Sequence, residues 1–311
     1  MISSSVEQAV SQLLQGKLVG IPTETVYGLA ANAFDELAVA SIFSAKNRPH
    51  FDPLIVHCSS LEEVAKCTTE FPAPLLKLAQ QVWPGPLTLL LPKQPFISDL
   101  VTAGSSLCAF RVPNHPLTLE VLKSLPFPLA APSANPFGYV SPTTAEHVEN
   151  QLGKAISMVL DGGPCTVGLE STIVGWDNGL VIYRLGGCTI EEIEEITGEK
   201  INRVQTSSSK PAAPGMLESH YAPRKKVVLV NDWSQTHCDC NQGYLFFGDQ
   251  PFEAYHFRNL SEAGNATEAA AHLFKFFREL DELPIETIYT QLLPDAGLGR
   301  AINDRLKRAS A

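Results

Sequence analysis

The sequence predicts an α/β protein of two domains: a twisted mixed sheet with helices over residues 1–205, with α+β character, and a small parallel sheet over 225–311. Three observations carry this reading. The 311 residues, 44% hydrophobic and 18% charged, suffice for two cores of ordinary globular composition. Gln205 to Gly215 is rich in Ser, Pro, Ala and Gly, as a linker should be, and 206–224 is read as that linker. Beyond it, strand and helix patterns alternate, which points to a parallel sheet.

Composition also excludes some functions. No apolar run reaches the roughly 18 residues that a membrane-spanning helix requires. The N-terminus has neither a basic region nor an apolar one, so no secretory signal is read there and the cytoplasm is expected. The seven cysteines are scattered, which suits free thiols in a reducing compartment. His237, Cys238, Asp239 and Cys240 sit too close together to supply a tetrahedral set, so no protein metal site is expected. A net charge of -10 opposes tight direct binding of nucleic acid, which depends on clustered cations.

Along the chain, residues 5–15 set Val6, Val10, Leu13 and Leu14 on one helical face, and Gly16 stops the helix. Lys17 to Pro22 reads as a buried strand delivering Thr23, Glu24, Thr25 and Tyr27-Gly28 at its end, small polar groups placed to hold a ligand. Glu36 to Ala45 has helical spacing. Pro49 is expected to end that helix by biasing Arg48 out of the helical region. Lys46 and Arg48 are thus set down at a helix end, where they either serve a ligand or simply complement the macrodipole. Asp52 to His57 is a loop entering a short buried strand.

Ser60 to Cys67 and Pro74 to Val82 read as helices, and Leu87 to Pro92 as a strand covered on both faces. Ser106 to Arg111 is a strand ending in an arginine. Its burial is costly without an anionic partner, either a ligand or an internal salt bridge. After the helix Leu117 to Leu125, Leu129 to Ala131 leads to Ser133 and Asn135, which an extended backbone aims to one side. Ser141 and Pro142 are read as N-cap and first residue of a helix whose free amides suit phosphate, capping alone being the alternative.

Met158 to Gly163 is a strand and turn, Gly168 to Val174 starts another strand with Ser171 and Thr172, and Leu180 to Leu185 is a strand carrying Arg184. An acidic helix, Ile190 to Thr197, and an extended piece, Lys200 to Val204, follow. Beyond the linker come strands at Lys226 to Val230, Gly243 to Phe247, Tyr255 to Leu260 and Thr287 to Gln291. With helices at Ala266 to Leu280 and Gly297 to Ala309 they make a small Rossmann-like unit. It lacks G-x-G-x-x-G, so no dinucleotide is assigned to it.

There is no Walker A motif and no Gly-x-Ser-x-Gly elbow. The candidate site residues are the cations Lys46, Arg48, Arg111 and Arg184 with the small hydrogen-bonders Thr25, Ser133, Asn135, Ser141, Ser171 and Thr172. Such a set suits polyanions and zwitterions. It fits a reaction driven by positioning and charge neutralisation at a phosphoryl centre.

Thr23-Glu24-Thr25-Val26-Tyr27-Gly28, Lys46-Asn47-Arg48-Pro49, Pro53 to His57, Ser133-Ala134-Asn135, Gly168 to Ile173 and His220-Tyr221-Ala222-Pro223 together resemble the YrdC family of L-threonylcarbamoyladenylate synthases. The whole chain looks like that family's two-domain members. The resemblance implies a YrdC-like catalytic domain and a nucleotidyltransferase that condenses L-threonine, bicarbonate or CO2, and ATP into threonylcarbamoyl-AMP and pyrophosphate. The product would pass to the machinery that forms threonylcarbamoyladenosine in tRNA.

By the same resemblance, Thr25, His57, Arg111 and Ser171 would hold threonine, with Arg111 on its carboxylate and the backbone near Ala131 assisting. Arg48, Ser133, Ser141 and Arg184 would line the nucleotide, with Asp52 and Leu107 beside it and Tyr221 folding over it as a lid. Lys46 would neutralise phosphate charge, and Lys46, Arg48, Ser133 and Asn135 form the implied catalytic set. Mg2+ would be carried mainly by the triphosphate. Two rivals remain at this stage: an RNA-binding translation accessory protein, and a carbamoyltransferase on the same fold.

Overall fold

The computed structural model describes residues 1–204, 214, 221–235 and 238–311. Of the predicted linker 206–224, Pro214 and Tyr221 to Arg224 are described; the remainder, like His237, lies outside the described residues.

Eleven strands form the first sheet among the described residues: β1 (Ile2–Ser3), β2 (Val19–Ile21), β3 (Gly28–Asn32), β4 (Ile55–His57), β5 (Leu87–Pro92), β6 (Leu107–Arg111), β7 (Leu129–Ala130), β8 (Met158–Leu160), β9 (Thr172–Trp176), β10 (Leu180–Arg184) and β11 (Ile201–Val204). Their spatial order is β1-β8-β2-β3-β7-β4-β6-β5-β9-β10-β11. The sheet is mixed, with β4–β6 and β5–β9 parallel and β4–β7, β5–β6 and β9–β10 antiparallel. The second sheet holds β12 (Lys226–Leu229), β13 (Gln242–Phe246), β14 (His256–Asn259) and β15 (Thr287–Thr290) in the order β12-β15-β13-β14, every pairing parallel.

The burial of the central strands explains their composition. Leu87 to Leu91 of β5 and Cys108 to Arg111 of β6 are buried without alternation, since helices and loops cover both faces. Two strands lie outside the sequence reading. β1 is two residues long, too short for a period, and β3 reads Gly-Leu-Ala-Ala-Asn, residues of low strand propensity. Position decides for β3, which is held between β2 and β7.

Two helix boundaries depart from expectation. Glu36–Lys46 is ended by Asn47, which takes the left-handed conformation (φ 52°) and donates its N–H to Phe43 and Ser44 carbonyls; Pro49 comes too late to act as the stop. Ser141 is not an N-cap. The helix there is Ala145–Leu152, capped by Thr144, whose hydroxyl accepts from the His147 N–H at 3.3 Å. Ser141 and Pro142 instead run beside the Thr23–Gly28 loop, with Tyr27 N–H donating to the Pro142 carbonyl at 2.9 Å. The same loop is laced to the segment after β7, through Leu29 N–H to Pro132 O at 2.7 Å and Ala134 N–H to Tyr27 O at 2.8 Å.

The second sheet's helices, Ala266–Asp281 and Leu298–Ala309, pack back on the first unit. Arg278 donates to the carbonyls of Val140 and Ser141, Tyr139 donates to Asp281 at 2.6 Å, and Arg300 meets Glu191 at 2.6 Å. Gly168 has φ +73°, and a Cβ there would collide with the backbone of Ala270 and Ala271. We expect Gly168→Ala to lose ~2 kcal/mol or more of stability, from the left-handed backbone and the collision together. Urea unfolding unchanged from wild type would contradict this close approach.

Candidate active site

Topology gathers the site at one edge of the first sheet. β4 and β6 are parallel with His57 opposite Arg111, so both side chains leave the sheet at the same end. β5 runs against β6, which brings its beginning, Thr88, to that end. β9 begins there with Ser171 just ahead of it, and β10, antiparallel to β9, finishes there with Arg184. Arg48 enters from the loop after the helix Glu36–Lys46, and Ala131 to Ser133 from the end of β7.

Arg48, Arg111 and Arg184 border one cavity, whose free volume of about 40 Å³ is room for a few waters. His57, Ala131, Ser133, Ser171 and Tyr221 border it as well. Each arginine is more than nine-tenths buried and held by fixed acceptors. Arg111 gives Nη2 to Glu24 Oε1 at 2.7 Å and Nε to the Gly85 carbonyl at 3.3 Å, while Glu24 Oε2 accepts the Asn114 N–H at 3.0 Å. The expected alternatives for Arg111 thus coincide: it has an internal salt bridge and it also faces the cavity. Arg184 binds the Ser171 carbonyl through Nε and Nη2 at 3.0 and 2.9 Å, the Ser171 hydroxyl at 3.1 Å and the Pro214 carbonyl at 3.4 Å. Ser171 Oγ lies 2.7 Å from Thr88 Oγ1.

Arg48 donates to the carbonyls of Asp52 and Pro53 at 3.1 and 2.7 Å, and its Nη2 lies 2.9 Å from Asp52 Oδ2. Burial raises the Asp52 carboxyl above its usual range, and Arg48 opposes that rise. Burial pulls both Arg48 and Arg184 below the usual guanidinium range. His57 is pushed down to about 3 by burial, with the Arg111 charge adding to it, so its imidazole is neutral at any working pH.

Seven predicted residues lie outside the cavity wall, among them Thr172, whose hydroxyl accepts the Cys188 N–H at 3.0 Å and donates to the Cys188 carbonyl at 2.5 Å. Lys46 is fully buried, and its Nζ donates to the carbonyls of Ser133 and Asn135, fixing the turn that presents Ser133. Burial lowers its ammonium well below the ordinary range. Asn135 turns away from Ser133, because its amide donates to the carbonyls of Pro136 and Tyr139 at 2.9 and 2.7 Å; the two do not share a side as expected. Thr25 sits behind Thr23, with the hydroxyls 2.8 Å apart, and it is Thr23 that reaches the wall. Asp52 stands behind Arg48. Leu107 opens β6 at the end opposite Arg111 and packs on a small apolar cluster. Ser141 reaches the site through Glu170, to which its hydroxyl donates at 2.5 Å.

Glu170 and Pro132 border the cavity without having been singled out, whereas Thr23 and Gly28 belong to the strand-end group read as holding a ligand. Glu170 had a readable signal, a carboxylate beside Ser171 in a stretch otherwise destined for anions. At Gly28 a Cβ would lie 3.3 Å from that of Ala131, so the close approach of the two segments suits glycine.

Residues 11–186 match the Sua5/YciO/YrdC family, described as telomere recombination, and residues 188–311 match the threonylcarbamoyl-AMP synthase C-terminal domain. The chain belongs to the Sua5/YciO/YrdC family. Similar members are the threonylcarbamoyl-AMP synthases of Pyrococcus abyssi, 37% identical over 97% of this chain and 93% of that one, and of Bacillus subtilis, 36% identical over 98% and 92%. The crystal structure of P. abyssi Sua5 complexed with L-threonine superposes with a TM-score of 0.91 at 35% identity, covering 98% of this chain and 94% of that one. No helix among the described residues is long and apolar enough to cross a membrane.

The depressed His57 value makes a pH prediction for this family member. Its folded value, about 3, lies below its unfolded value of 6.5, so the unfolded state takes up the proton first as pH falls. Stability present above pH 6.5 is lost toward pH 3. Between pH 7 and 4.5 the loss should exceed that of His57→Gln by about 2 kcal/mol in urea unfolding. Equal losses would place His57 in a wetter site.

Proposed function

We propose that the protein is an L-threonylcarbamoyladenylate synthase, a nucleotidyltransferase that joins L-threonine, bicarbonate or CO2, and ATP into threonylcarbamoyl-AMP with release of pyrophosphate. The observation that carries this is the meeting of Arg48, Arg111 and Arg184 with Ser133 and Ser171 around one cavity, in a chain similar along nearly its full length to enzymes of that name.

The chemistry follows from the side chains. Arg111, held in place by Glu24, takes the threonine carboxylate. His57, being neutral, adds no repulsion to the threonine ammonium. Once the amine carries the carboxyl group, an oxygen of that carbamate attacks the α-phosphorus of ATP and pyrophosphate leaves. The step asks for alignment and for neutralised phosphate charge, which Arg48, Arg184 and Ser133 provide, and for no protein nucleophile. Lys46 acts from behind by holding the Ser133 and Asn135 carbonyls. Closure by Tyr221 and Pro214 keeps water from the labile carbamate.

Mg2+ is assigned to the triphosphate. Glu24, Asp52 and Glu170 are each within ion-pair distance of an arginine, and no group of three or more His, Cys, Asp or Glu able to hold a metal occurs among the described residues. When bound, the ion neutralises triphosphate charge and helps orient the leaving pyrophosphate. The cysteines are free thiols, which suits a cytoplasmic enzyme whose product goes on to threonylcarbamoyladenosine formation in tRNA.

Purified protein should release pyrophosphate when threonine, bicarbonate and ATP are all present and stop when any one is omitted. Release that ignores threonine would sink the proposal. Arg111→Lys keeps a charge for Glu24 but loses the planar fork, and should weaken threonine binding about tenfold in calorimetric titration. Wild-type affinity in that variant would remove Arg111 from the carboxylate.

A further inference from the structure

Glu170 borders the cavity beside Ser171 and Arg184 and is only 5% exposed. Left to itself, a buried carboxylate there would repel a triphosphate and pull Arg184 away from it. Its counter-charge comes from the far end of the chain. Arg305, on the helix Leu298–Ala309, is 0% exposed and sends Nε and Nη2 to Glu170 Oε2 at 3.2 and 3.1 Å. Glu170 Oε1 accepts the Ser141 hydroxyl at 2.5 Å. The guanidinium is fixed in turn by its neighbours: its carbon lies 4.9 Å from the centroid of the Tyr221 ring, and Nη1 pairs with Asp304 at 2.9 Å.

We propose that Arg305 is a positioning residue for the nucleotide: by pairing off Glu170 it leaves the charge of Arg184 to the phosphates, so the second sheet's unit completes the catalytic pocket. This rests on the reading of ATP as substrate. Arg305 meets no substrate in this scheme and acts through Glu170. The effect therefore falls on ATP and spares threonine, whose carboxylate is matched by Arg111 and its own partner Glu24.

The test uses the full-length protein, a non-hydrolysable ATP analogue and threonine in separate titrations, and steady-state pyrophosphate release. Arg305→Met should weaken the analogue about tenfold or more and raise the KM for ATP alike, with threonine affinity within about twofold of wild type. Glu170→Gln removes the carboxylate while keeping an acceptor for Ser141, and should bind the analogue about tenfold or more tighter than Arg305→Met. The double variant E170Q/R305M has no unpaired charge and should return to within about threefold of wild type. Arg300→Ala, which removes the exposed contact to Glu191 between the two units, should leave both affinities unchanged and so reports on docking alone.

The proposal is overturned if Arg305→Met binds the analogue normally, if threonine and ATP weaken equally, if the double variant is no better than Arg305→Met, or if Glu170→Gln binds the analogue no better than Arg305→Met. Should Arg305→Met fail to fold, the double variant decides: near-normal ATP affinity supports the proposal and a tenfold loss refutes it. Wild-type protein that neither binds the analogue nor releases pyrophosphate overturns the functional reading, and this inference with it.

Discussion

Buried positive charge is the constraint around which this molecule is arranged. Arg48, Arg111, Arg184, Arg305 and Lys46 are withdrawn from water at or beside one end of a sheet, and each would be prohibitive alone. The fold meets that cost with fixed acceptors. Glu24 serves Arg111, Asp52 serves Arg48, Glu170 serves Arg305, and backbone carbonyls serve Arg184 and Lys46. A site built this way holds its charges in place before any ligand arrives, so little reorganisation is left for the binding of an anion.

The mixed topology makes this possible. A purely parallel sheet would present only strand ends of one polarity at the site. Here β4 and β6 deliver His57 and Arg111 at their C-terminal ends, while β5 and β9 start at the same edge with Thr88 and the Ser171-Thr172 pair. Backbone carbonyls and side chains from both strand polarities therefore face one small volume. The neighbouring loops are tied to each other as well, Thr23–Gly28 to Pro132–Ala134 and Lys46 to the turn after Ser133, so no wall of the cavity depends on one segment. The smaller sheet contributes through its helices, which lay Arg278 on the Val140–Ser141 backbone and Arg305 on Glu170.

Most of the fold was legible because its elements carry strong local signals. The continuous apolar run of β5, the alternation of the last 87 residues (225–311) and the serine ahead of the helix Leu61–Cys67 are local signals that survive the tertiary context. Where local signals were weak or ambiguous, reading by pattern failed. β3 lacks strand-forming residues, Asn47 in its left-handed cap pre-empts Pro49, and Ser141 loses its capping role to Glu170, a partner 29 positions away.

The sequence by itself determined which residue types the site would hold: strand-end arginines and small hydroxyls are expensive or uninformative anywhere else, so their placement in short motifs marked them for an anionic ligand. Only the tertiary structure decided which of them share a wall. Thr23 displaces Thr25, Asn135 turns from Ser133, and Lys46 supports the site from behind, because each side chain goes to the nearest unsatisfied partner in space. The Glu170–Arg305 pair spans 135 positions, a separation at which no spacing rule connects two charges, and packing alone brings them together.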